Sequence, residues 1–371
     1  MSLLLNEEQA MLRDSARSFL AENAPVAQLR QLRDSRDPAG FAGSSWSRFC
    51  ELGYAGVLVP EVQGGAGLGA VEMGVLMEQI GRHLSALPFL SSGVVAARLL
   101  LGAGSAAQQA QWLPRIANGE AIATLAVDEG PKHRPEAIAL RAERSGSSWR
   151  LSGTKSFVPD GHVASLLLVA ARSGEERKLF AVPRDSAGMQ VQRTAMVDAH
   201  NVARMTLHDV VLPDGARLGA GSDAALEQAL DFGRAGAAAE LLGIADEVFE
   251  RTLDYLKQRK QFGKLIGEFQ ALQHRAAVLY VDIELARAAL AKALQALDTT
   301  PHQAAEAVAI AKAKCGSAAT LAVQEGVQMH GGMGMTDQLD FGLFMKRARV
   351  LQELYSDAGW QMDRLARMRG Y

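Results

Sequence analysis

The stretch Arg259-Lys-Gln-Phe-Gly263 lies between two long helical patterns, Ala224–Gln258 before it and Phe269–Leu297 after it. An arginine at such a junction can meet a pyrophosphate with charge-assisted hydrogen bonds from its planar guanidinium. Gly263 lets the backbone turn and approach a ligand closely. The alternative is a structural helix end, in which Arg259 caps the C-terminus and Gly263 lies just beyond it.

A second glycine-bearing stretch, Val327-Gln-Met-His-Gly-Gly-Met-Gly334, comes at the end of the helical pattern Gln303–Met329. Three glycines in four positions expose backbone N–H groups, which favours an anionic or polar ligand. The alternative is a glycine-rich turn that ends a helix. We expect His330 within the stretch to be a hydrogen-bonding element rather than a catalyst.

Outward from these two stretches, the chain divides into three parts by the period of its hydrophobic residues. Helical spacing runs through 1–120, short apolar segments bounded by Gly, Pro or Asp fill 121–218, and 219–371 is helical again. Short strands at such spacing predict a compact antiparallel β-barrel, and long helices predict a four-helix bundle. We therefore predict an α+β fold with an N-terminal helical domain, a middle β-barrel and a C-terminal bundle.

The overall composition excludes several classes of function. The 371 residues carry a formal charge of −2 and a pI near 6.5, so no basic field attracts nucleic acid. The two cysteines, Cys50 and Cys315, have neither a disulfide nor a metal spacing, and we expect no metal site. We find no signal-peptide pattern and no apolar run of about 18 residues, so we expect a cytoplasmic protein without a membrane span.

Taken together, the two glycine-bearing stretches resemble the R-x-x-F-G and Q-x-x-G-G-x-G signatures of the acyl-CoA dehydrogenase family, and the resemblance covers essentially the whole chain. It implies an acyl-CoA substrate, FAD as cofactor, an electron-transfer flavoprotein as acceptor, and a homo- or hetero-oligomer built as a dimer of dimers. In the family the second stretch contacts the FAD of a neighbouring subunit. The residues that the resemblance assigns to FAD in these stretches are Arg259, Gln261, Phe262, Gly263, Gln328, Gly331 and Gly332.

The reaction that the resemblance implies is α,β-dehydrogenation of a thioester, in which a carboxylate removes the α-proton and hydride passes to flavin N5. Family members place this glutamate early in a long C-terminal-domain helix or in a loop near the C-terminus. Gly233 occupies the first position, beside Arg234, which matches the family's neighbouring arginine. Tyr355 occupies the second or, with a two-residue insertion, Asp357 does. We expect Gly233, Arg234 and Tyr355 to contact the substrate.

Two carboxylates are candidates for the missing base. Glu240 lies seven residues after Gly233, so it falls on the same face of the predicted helix, among apolar residues. An acid on an apolar face is costly unless it is paired or functional, and the alternative is an ion pair with an arginine from another helix. Asp357 is the reserve candidate, and its alternative is a turn or an N-cap for the last helix.

The segment expected beside the flavin ring departs from the family pattern. The family has an aromatic-x-Ser/Thr element that packs beside the ring and donates a hydrogen bond, whereas this chain has Phe157-Val158-Pro159. Phe157 can stack, but Pro159 has neither a side-chain donor nor a backbone N–H. The family's T-E-P-x-x-G-S loop is also altered, to Val127–His133. The resemblance nevertheless assigns Phe157 and Val158 to the flavin.

These departures resemble one subgroup, the small subunits of pimeloyl- or steroid-type acyl-CoA dehydrogenases. That subgroup shares the Phe157–His162 stretch and an acid at the position of Glu240. In some of its heterotetramers only one chain type supplies the base. Two alternatives to an active dehydrogenase therefore stay open: a non-catalytic subunit that completes the FAD site, and a same-fold flavin oxidase or monooxygenase. Asp357 as base would suit nitroalkane oxidation.

Overall fold

The chain runs from helices through a sheet to helices in a computed structural model that describes residues 4–219 and 221–371. The described residues form two compact units. The first contains those up to Arg30, Gly74–Ser85 and Arg234–Tyr371, and the second contains Gln31–Met73 and Ala86–Gly233. The three-part division into 1–120, 121–218 and 219–371 differs from these units and stays a prediction.

The helices before the sheet begin with local capping signals. The first starts with reciprocal hydrogen bonds between Asn6 and Gln9, and the sixth starts the same way with Ser105 and Gln108. A π-helix, Phe89–Ala96, is buried along its whole length. The α-helices of this part are α1 (Glu7–Asn23), α2 (Val26–Ser35), α3 (Gly43–Glu51), α4 (Ala70–His83), α5 (Ala97–Ala103) and α6 (Ala106–Ala117).

The sheet is built mostly from antiparallel pairs. Its strands are β1 (Ala123–Ala126), β2 (Arg141–Ser145), β3 (Ser148–Pro159), β4 (Leu166–Ser173), β5 (Glu176–Pro183), β6 (Met189–Ala195) and β7 (Asn201–Pro213). Their order is β1-β4-β2-β3-β7-β6, with β5 paired to β4. The parallel pairing of β1 with β4 is a feature that the sequence pattern does not indicate.

The long strand β3 explains one wrong local prediction. The sequence Ser152-Gly-Thr-Lys155 suggests a turn, yet β3 continues through it, opposite β7. The register shifts at Gly153, whose φ is +146°, so the glycine forms a strand irregularity and not a chain reversal. A second shift, between Lys155 and Val158, displaces Phe157 from regular pairing.

The helices after the sheet are long. One of them crosses α4 closely at a point where each of the two helices has a glycine. A Cβ on Gly81 of α4 would lie 2.1 Å from the Glu240 carbonyl oxygen, and one on Gly243 would lie 2.0 Å from that of Glu78. These helices are α7 (Ser222–Gln258), α8 (Gln270–Thr299), α9 (Ala305–His330), α10 (Phe341–Glu353) and α11 (Ala358–Met368). The α+β class, with a sheet between two helical parts, is therefore confirmed.

Two absences apply to the described ranges. No helix within 4–219 or 221–371 is long and apolar enough to cross a membrane. In the same residues, no group of three or more His, Cys, Asp or Glu side chains is placed to hold a metal ion.

Candidate functional site

The first glycine-bearing stretch forms a tight hairpin and not a helix cap. The helix α7 ends at Gln258, and two short strands, β8 (Lys260–Gln261) and β9 (Lys264–Leu265), enclose a turn of Phe262 and Gly263. Both turn residues have positive φ, 52° and 81°, which is the backbone of the turns that join two-residue hairpins. Gly263 is therefore the hairpin residue, and the alternative that placed it just beyond a helix end is wrong.

This hairpin presents groups that the chain itself leaves exposed. The Phe262 side chain is 92% exposed. Arg259 is exposed as well, and its guanidinium makes no hydrogen bond or ion pair with the described residues. The Gln261 amide donates to the Lys260 carbonyl at 2.8 Å. An exposed guanidinium beside an exposed aromatic ring can hold a flat, anionic group.

In the second glycine-bearing stretch, the conformation and packing of the backbone require two of the three glycines but not the third. Gly331 has a φ of +59°, and a Cβ on Gly334 would lie 2.6 Å from the Val327 carbonyl oxygen. A Cβ on Gly332 would meet nothing within 4 Å, and its φ is not in the left-handed region. Space beside Gly332, with Gln328 exposed one turn away, fits a ligand that approaches the backbone.

His330 has a structural role, as the sequence analysis expects. Its ring stacks on Tyr255 with centroids 4.1 Å apart and lies 4.4 Å from the ring of Phe341. Its Nδ1 lies 2.7 Å from the Gly326 carbonyl oxygen, so Nδ1 is the donor. Burial lowers the pKa of His330, which favours a neutral ring.

In the second unit, Phe157 is held in a strained conformation at the surface. Its φ is +50°, unusual for a bulky residue, and it lies in the irregular stretch of β3 with 47% of its surface exposed. Val158, in contrast, is buried in the core of the sheet, so only its backbone can reach a ligand. The sequence assigns both residues to the flavin, and the structure exposes the side chain of one.

The altered loop beside this strand is fixed by a buried ion pair. Lys155 is fully buried and donates to Glu129 at 2.7 Å and to the Val127 carbonyl at 3.0 Å. The Glu129 carboxylate also accepts the backbone N–H groups of Ala139 and Leu140. Burial lowers the pKa of Lys155, and Glu129 opposes that shift. The loop is therefore ordered despite its unusual sequence.

The expected substrate residues on α7 and near the C-terminus lie in a buried environment. Gly233 and Arg234 are both buried in α7. The Arg234 Nε donates to the Tyr355 carbonyl oxygen at 3.1 Å, and its guanidinium lies 4.8 Å from the centre of the Trp360 ring. The structure thus brings Arg234 and Tyr355 together.

Glu240 forms the ion pair that the sequence analysis left open. The carboxylate is 1% exposed, and Arg347 of α10 contacts both its oxygens, Nε to Oε1 at 2.6 Å and Nη2 to Oε2 at 3.0 Å. Such a bidentate contact fixes the orientation of both side chains and joins α7 to α10. No sequence signal identifies Arg347, which lies 107 residues further along the chain.

Asp357 has the local role that was its alternative. It is the N-cap of α11 and accepts the Trp360 backbone N–H at 2.8 Å. The turn before it has two left-handed residues other than glycine, Tyr355 at φ +57° and Ser356 at φ +111°. Both candidate bases thus have contacts within the chain, and their catalytic roles stay predictions.

Lys312 is the site residue that the sequence analysis missed. It lies in α9, and its Nζ donates to the carbonyl oxygens of Leu351, Gln352 and Ser356 at 2.9, 3.1 and 3.0 Å. Burial and the nearby Arg234 guanidinium lower its pKa to about 7. Its position carried a signal, because it lies on the same helix face as the buried Val308 and Ala319.

A polar cleft of about 820 Å³ lies within the second unit. Basic side chains on its wall include Arg177, which donates to Asp223 at 2.6 Å, and Arg217, whose guanidinium makes no hydrogen bond or ion pair with the described residues. The charged residues that line the cleft are Glu136, Arg172, Glu175, Glu176, Arg177, Lys178, Arg217 and Asp223. Such a cleft suits a polar group with several charges.

Comparison with known proteins finds relatives that are similar in sequence and in structure. Two family models match, the acyl-CoA dehydrogenase N-terminal domain over residues 6–120 and the C-terminal domain over residues 219–367. The acyl-CoA dehydrogenase IpdE2 of Mycobacterium tuberculosis is 34% identical over 352 residues, which is 94% of this chain and 93% of that protein. A variant of the Tcur3481–Tcur3483 steroid ACAD is similar in structure, with 31% identity, a TM-score of 0.89 and 97% of each chain covered. The ChsE4–ChsE5 complex from Mycobacterium tuberculosis is 26% identical, with a TM-score of 0.90, over 99% of this chain and 98% of that one.

Proposed function

Because this chain belongs to the acyl-CoA dehydrogenase family, we propose that it dehydrogenates an acyl-CoA thioester between Cα and Cβ, with flavin N5 of FAD as hydride acceptor. Membership of the family makes the protein an oxidoreductase acting on CH–CH bonds. The expected cofactor, FAD, is confirmed as the family's cofactor. When bound, FAD supplies the two-electron acceptor. The chain's own residues bind, orient and shield the reactants.

The observation that carries the proposal is the exposed, strained Phe157. The positive φ of a bulky residue costs free energy. Because nearly half of Phe157 is exposed, contacts within the chain do not offset that cost. Stacking against a flavin ring would recover it. Pro159, two residues on, has no N–H or hydroxyl to donate, so Phe157 holds the ring by contact and not by a hydrogen bond.

The hairpin and the α9 terminus are also proposed to contact FAD. Arg259 would pair with the pyrophosphate, with Gln261, Phe262 and Gly263 around it. The space beside Gly332 admits the cofactor backbone, and Gln328 and Gly331 border that space. Since these groups are exposed in the single chain, they are free to complete an FAD site with a neighbouring subunit.

An oligomer is supported by one face of α8. Val278, Val281 and Leu285 follow one another at helical spacing on that helix, and each is more than half exposed. A row of exposed aliphatic side chains on a helix indicates a surface that another chain covers. We propose a dimer of dimers, made either from one chain type or from two.

The cleft of the second unit is proposed to hold the nucleotide end of coenzyme A. That end carries several phosphate charges, and Arg217 lies on the cleft wall with a guanidinium that makes no hydrogen bond or ion pair to the described residues. Separately, we propose that Gly233, Arg234 and Tyr355 contact the acyl-CoA. A bulky acyl group, such as a steroid side chain, is favoured because one similar structure is a steroid ACAD. We propose an electron-transfer flavoprotein as acceptor.

Glu240 is the proposed base, and Asp357 is the second candidate. Catalysis by Glu240 would require a change in its contacts. To accept an α-proton it has to leave the bidentate contact with Arg347, which occupies both carboxylate oxygens. It also lies about 10 Å along α7 from Gly233, the position of the family's helix glutamate. A movement of α10 would have to accompany catalysis.

A second candidate function is favoured by these same contacts. If Glu240 stays paired and Asp357 stays an N-cap, the chain completes the FAD and substrate sites while another chain supplies the base. Two similar structures have names that pair two proteins, Tcur3481–Tcur3483 and ChsE4–ChsE5. In this function the protein purified alone binds acyl-CoA but does not oxidise it.

Turnover with an artificial electron acceptor tests both functions. Wild-type protein is incubated with steroid, branched and dicarboxylic acyl-CoAs, and mass spectrometry detects a product lighter by two hydrogens. If Glu240 is the base, Glu240→Gln abolishes turnover and Asp357→Asn does not. Retained turnover in Glu240→Gln sinks that assignment. Activity that arises only after a paralogous chain is added selects the second function, and turnover of nitroalkanes but not acyl-CoAs selects a same-fold oxidase.

A further inference from the structure

Lys312 is buried, and its ammonium group donates hydrogen bonds only to backbone carbonyl oxygens. Its three contacts are the carbonyl oxygens of Leu351 and Gln352, in the last turn of α10, and of Ser356, in the turn beyond it. Lys312 forms no ion pair with the residues that the structure describes. The negative end of the α10 dipole stands in place of a carboxylate partner.

The turn that Lys312 contacts has a backbone that its residues disfavour. Tyr355 and Ser356 both have positive φ, although neither is glycine. Such conformations persist only where surrounding contacts determine them. Three polar contacts do so here: Lys312 to the Ser356 carbonyl, Arg234 to the Tyr355 carbonyl, and the Gln361 amide to the Ser356 hydroxyl.

We propose that Lys312 is a positioning residue, whose ammonium joins the end of α10 to the turn Leu354–Asp357 and so sets where Tyr355 faces the acyl-CoA. This inference rests on the proposed function, because Tyr355 and Arg234 are the residues assigned to the substrate. Lys312 itself touches neither substrate nor cofactor. Without its ammonium, three carbonyl oxygens lose a donor, those of Leu351 and Ser356 in buried contacts, and the strained turn has one fewer contact to hold it.

The surroundings of Lys312 also allow its ammonium to be replaced from solution. A cavity of about 300 Å³ opens beside it and is lined in part by Gly316, Thr320, Gln352 and Gly359. In Lys312→Ala the missing atoms are those of propylammonium, which is small enough to enter such a cavity. Rescue by this cation separates the role of the charge from a general loss of packing.

The test compares Lys312→Ala and Lys312→Met with Lys314→Ala, a matched control two residues away on α9 whose ammonium pairs with Asp282 at 2.7 Å. Hydrogen exchange of the peptide 354–361, FAD content and steady-state kinetics are measured near pH 6, below the pKa of about 7, so that Lys312 is charged. Lys312→Met keeps most of the side-chain volume, so it serves if Lys312→Ala does not fold.

We expect both Lys312 variants to exchange faster in 354–361 and to lose about tenfold or more in kcat, with FAD content and KM unchanged. Propylammonium restores kcat in Lys312→Ala but not in Lys312→Met, where the methionine fills the space. Exchange and kcat equal to those of the Lys314 control overturn the proposal, and so does a uniform rise in exchange over α9, α10 and α11. If wild type oxidises no acyl-CoA, the proposed function has failed, while the exchange of 354–361 and its rescue still decide whether Lys312 holds the turn.

Discussion

The hairpin at Arg259–Gly263 and the contact of Glu240 on α7 with Arg347 on α10 lie in the same compact unit, and their polar groups differ in exposure and in contacts. The hairpin leaves the Arg259 guanidinium and the Phe262 ring exposed. The helix pair encloses the Glu240 carboxylate and gives it two hydrogen bonds from Arg347. The hairpin leaves polar groups exposed, whereas the helix pair gives its buried carboxylate two hydrogen bonds.

The comparison shows how an unusual residue can be assigned a role. A buried charge is tolerated only when it is paired or neutralised. An acid on an apolar helix face therefore indicates a free-energy cost of burial and does not by itself indicate a catalytic role. An exposed arginine or glycine without a contact inside the chain costs nothing in water and is available to bind another group. By this criterion the support for FAD binding is stronger than the support for Glu240 as base.

The largest expected effect comes from breaking the buried ion pair. Arg347→Leu leaves the Glu240 carboxylate buried without its partner and should lower the free energy of unfolding by about 3–5 kcal/mol. Replacing both residues by leucine should recover much of that loss. Chemical denaturation measures both. The control is Arg349→Leu, which removes an exposed pair with Glu353 and should cost at most about 1 kcal/mol. Equal losses in Arg347→Leu and Arg349→Leu would contradict the structural role.

A second carboxylate, half-buried and 3.7 Å from its partner Arg287, should make stability depend on pH. Burial, reinforced by Asp246, raises the pKa of Glu78 from 4.5 to about 7, against Arg287, Arg82 and Arg13. Between these two values the folded state binds more protons than the unfolded state, so the free energy of unfolding falls as the pH rises, by at most about 3 kcal/mol. Below the window both states are protonated, and above it both are ionised.

Urea denaturation across that pH window measures this effect. Glu78→Gln should flatten the dependence and leave a smaller slope from Asp246, whose pKa burial also raises. A pH dependence as steep as that of wild type in Glu78→Gln would show that another group controls it.

Two glycines of one turn should separate stability from cofactor binding. A Cβ on Gly334 meets the Val327 carbonyl oxygen, so Gly334→Ala should cost about 1–3 kcal/mol of stability. A Cβ on Gly332 meets nothing in the chain, so Gly332→Ala should leave the apoprotein unchanged and weaken FAD binding by about tenfold, or 1.4 kcal/mol. Thermal melting and FAD titration measure the two. Unchanged FAD affinity in Gly332→Ala would remove this turn from the cofactor site.

The smallest expected effect is a gain in stability at the proposed flavin-contacting residue. Asparagine tolerates the left-handed backbone better than phenylalanine, so Phe157→Asn should raise the stability of the apoprotein by about 0.5–1 kcal/mol. The same change should weaken FAD binding, since the ring that stacks is gone. Denaturation of the apoprotein and FAD titration test this. Full FAD affinity in Phe157→Asn would show that the strain has another origin.

Periodicity and glycine placement predicted the main elements because they reflect local physical causes. The helical patterns Ala224–Gln258, Phe269–Leu297 and Gln303–Met329 correspond to α7, α8 and α9. The parallel pairing of β1 was not predictable, since a four-residue apolar strand carries no signal of its partner. The π-helix Phe89–Ala96 has no periodic pattern, because all of it is buried.

The sequence names candidate site residues but not the contacts between them. The sequence identified Glu240 as a buried acid and left open whether it is paired, because Arg347 is distant in sequence. It named Arg234 and Tyr355 separately, and only the folded chain shows that they share a hydrogen bond. Lys312 was missed because a lysine in a helix is usually exposed, although its neighbours at three- and four-residue spacing are apolar.

The measurement that tests the central claim most directly is the visible spectrum of the purified protein with FAD, recorded anaerobically before and after acyl-CoAs are added. The flavin reports hydride transfer by losing its yellow absorbance. We predict that the protein holds FAD and that one class of bulky acyl-CoA bleaches it, in the single chain or after a paralogous partner supplies the base. A protein that binds no FAD with or without such a partner, or whose flavin no acyl-CoA bleaches in either state, would contradict the account.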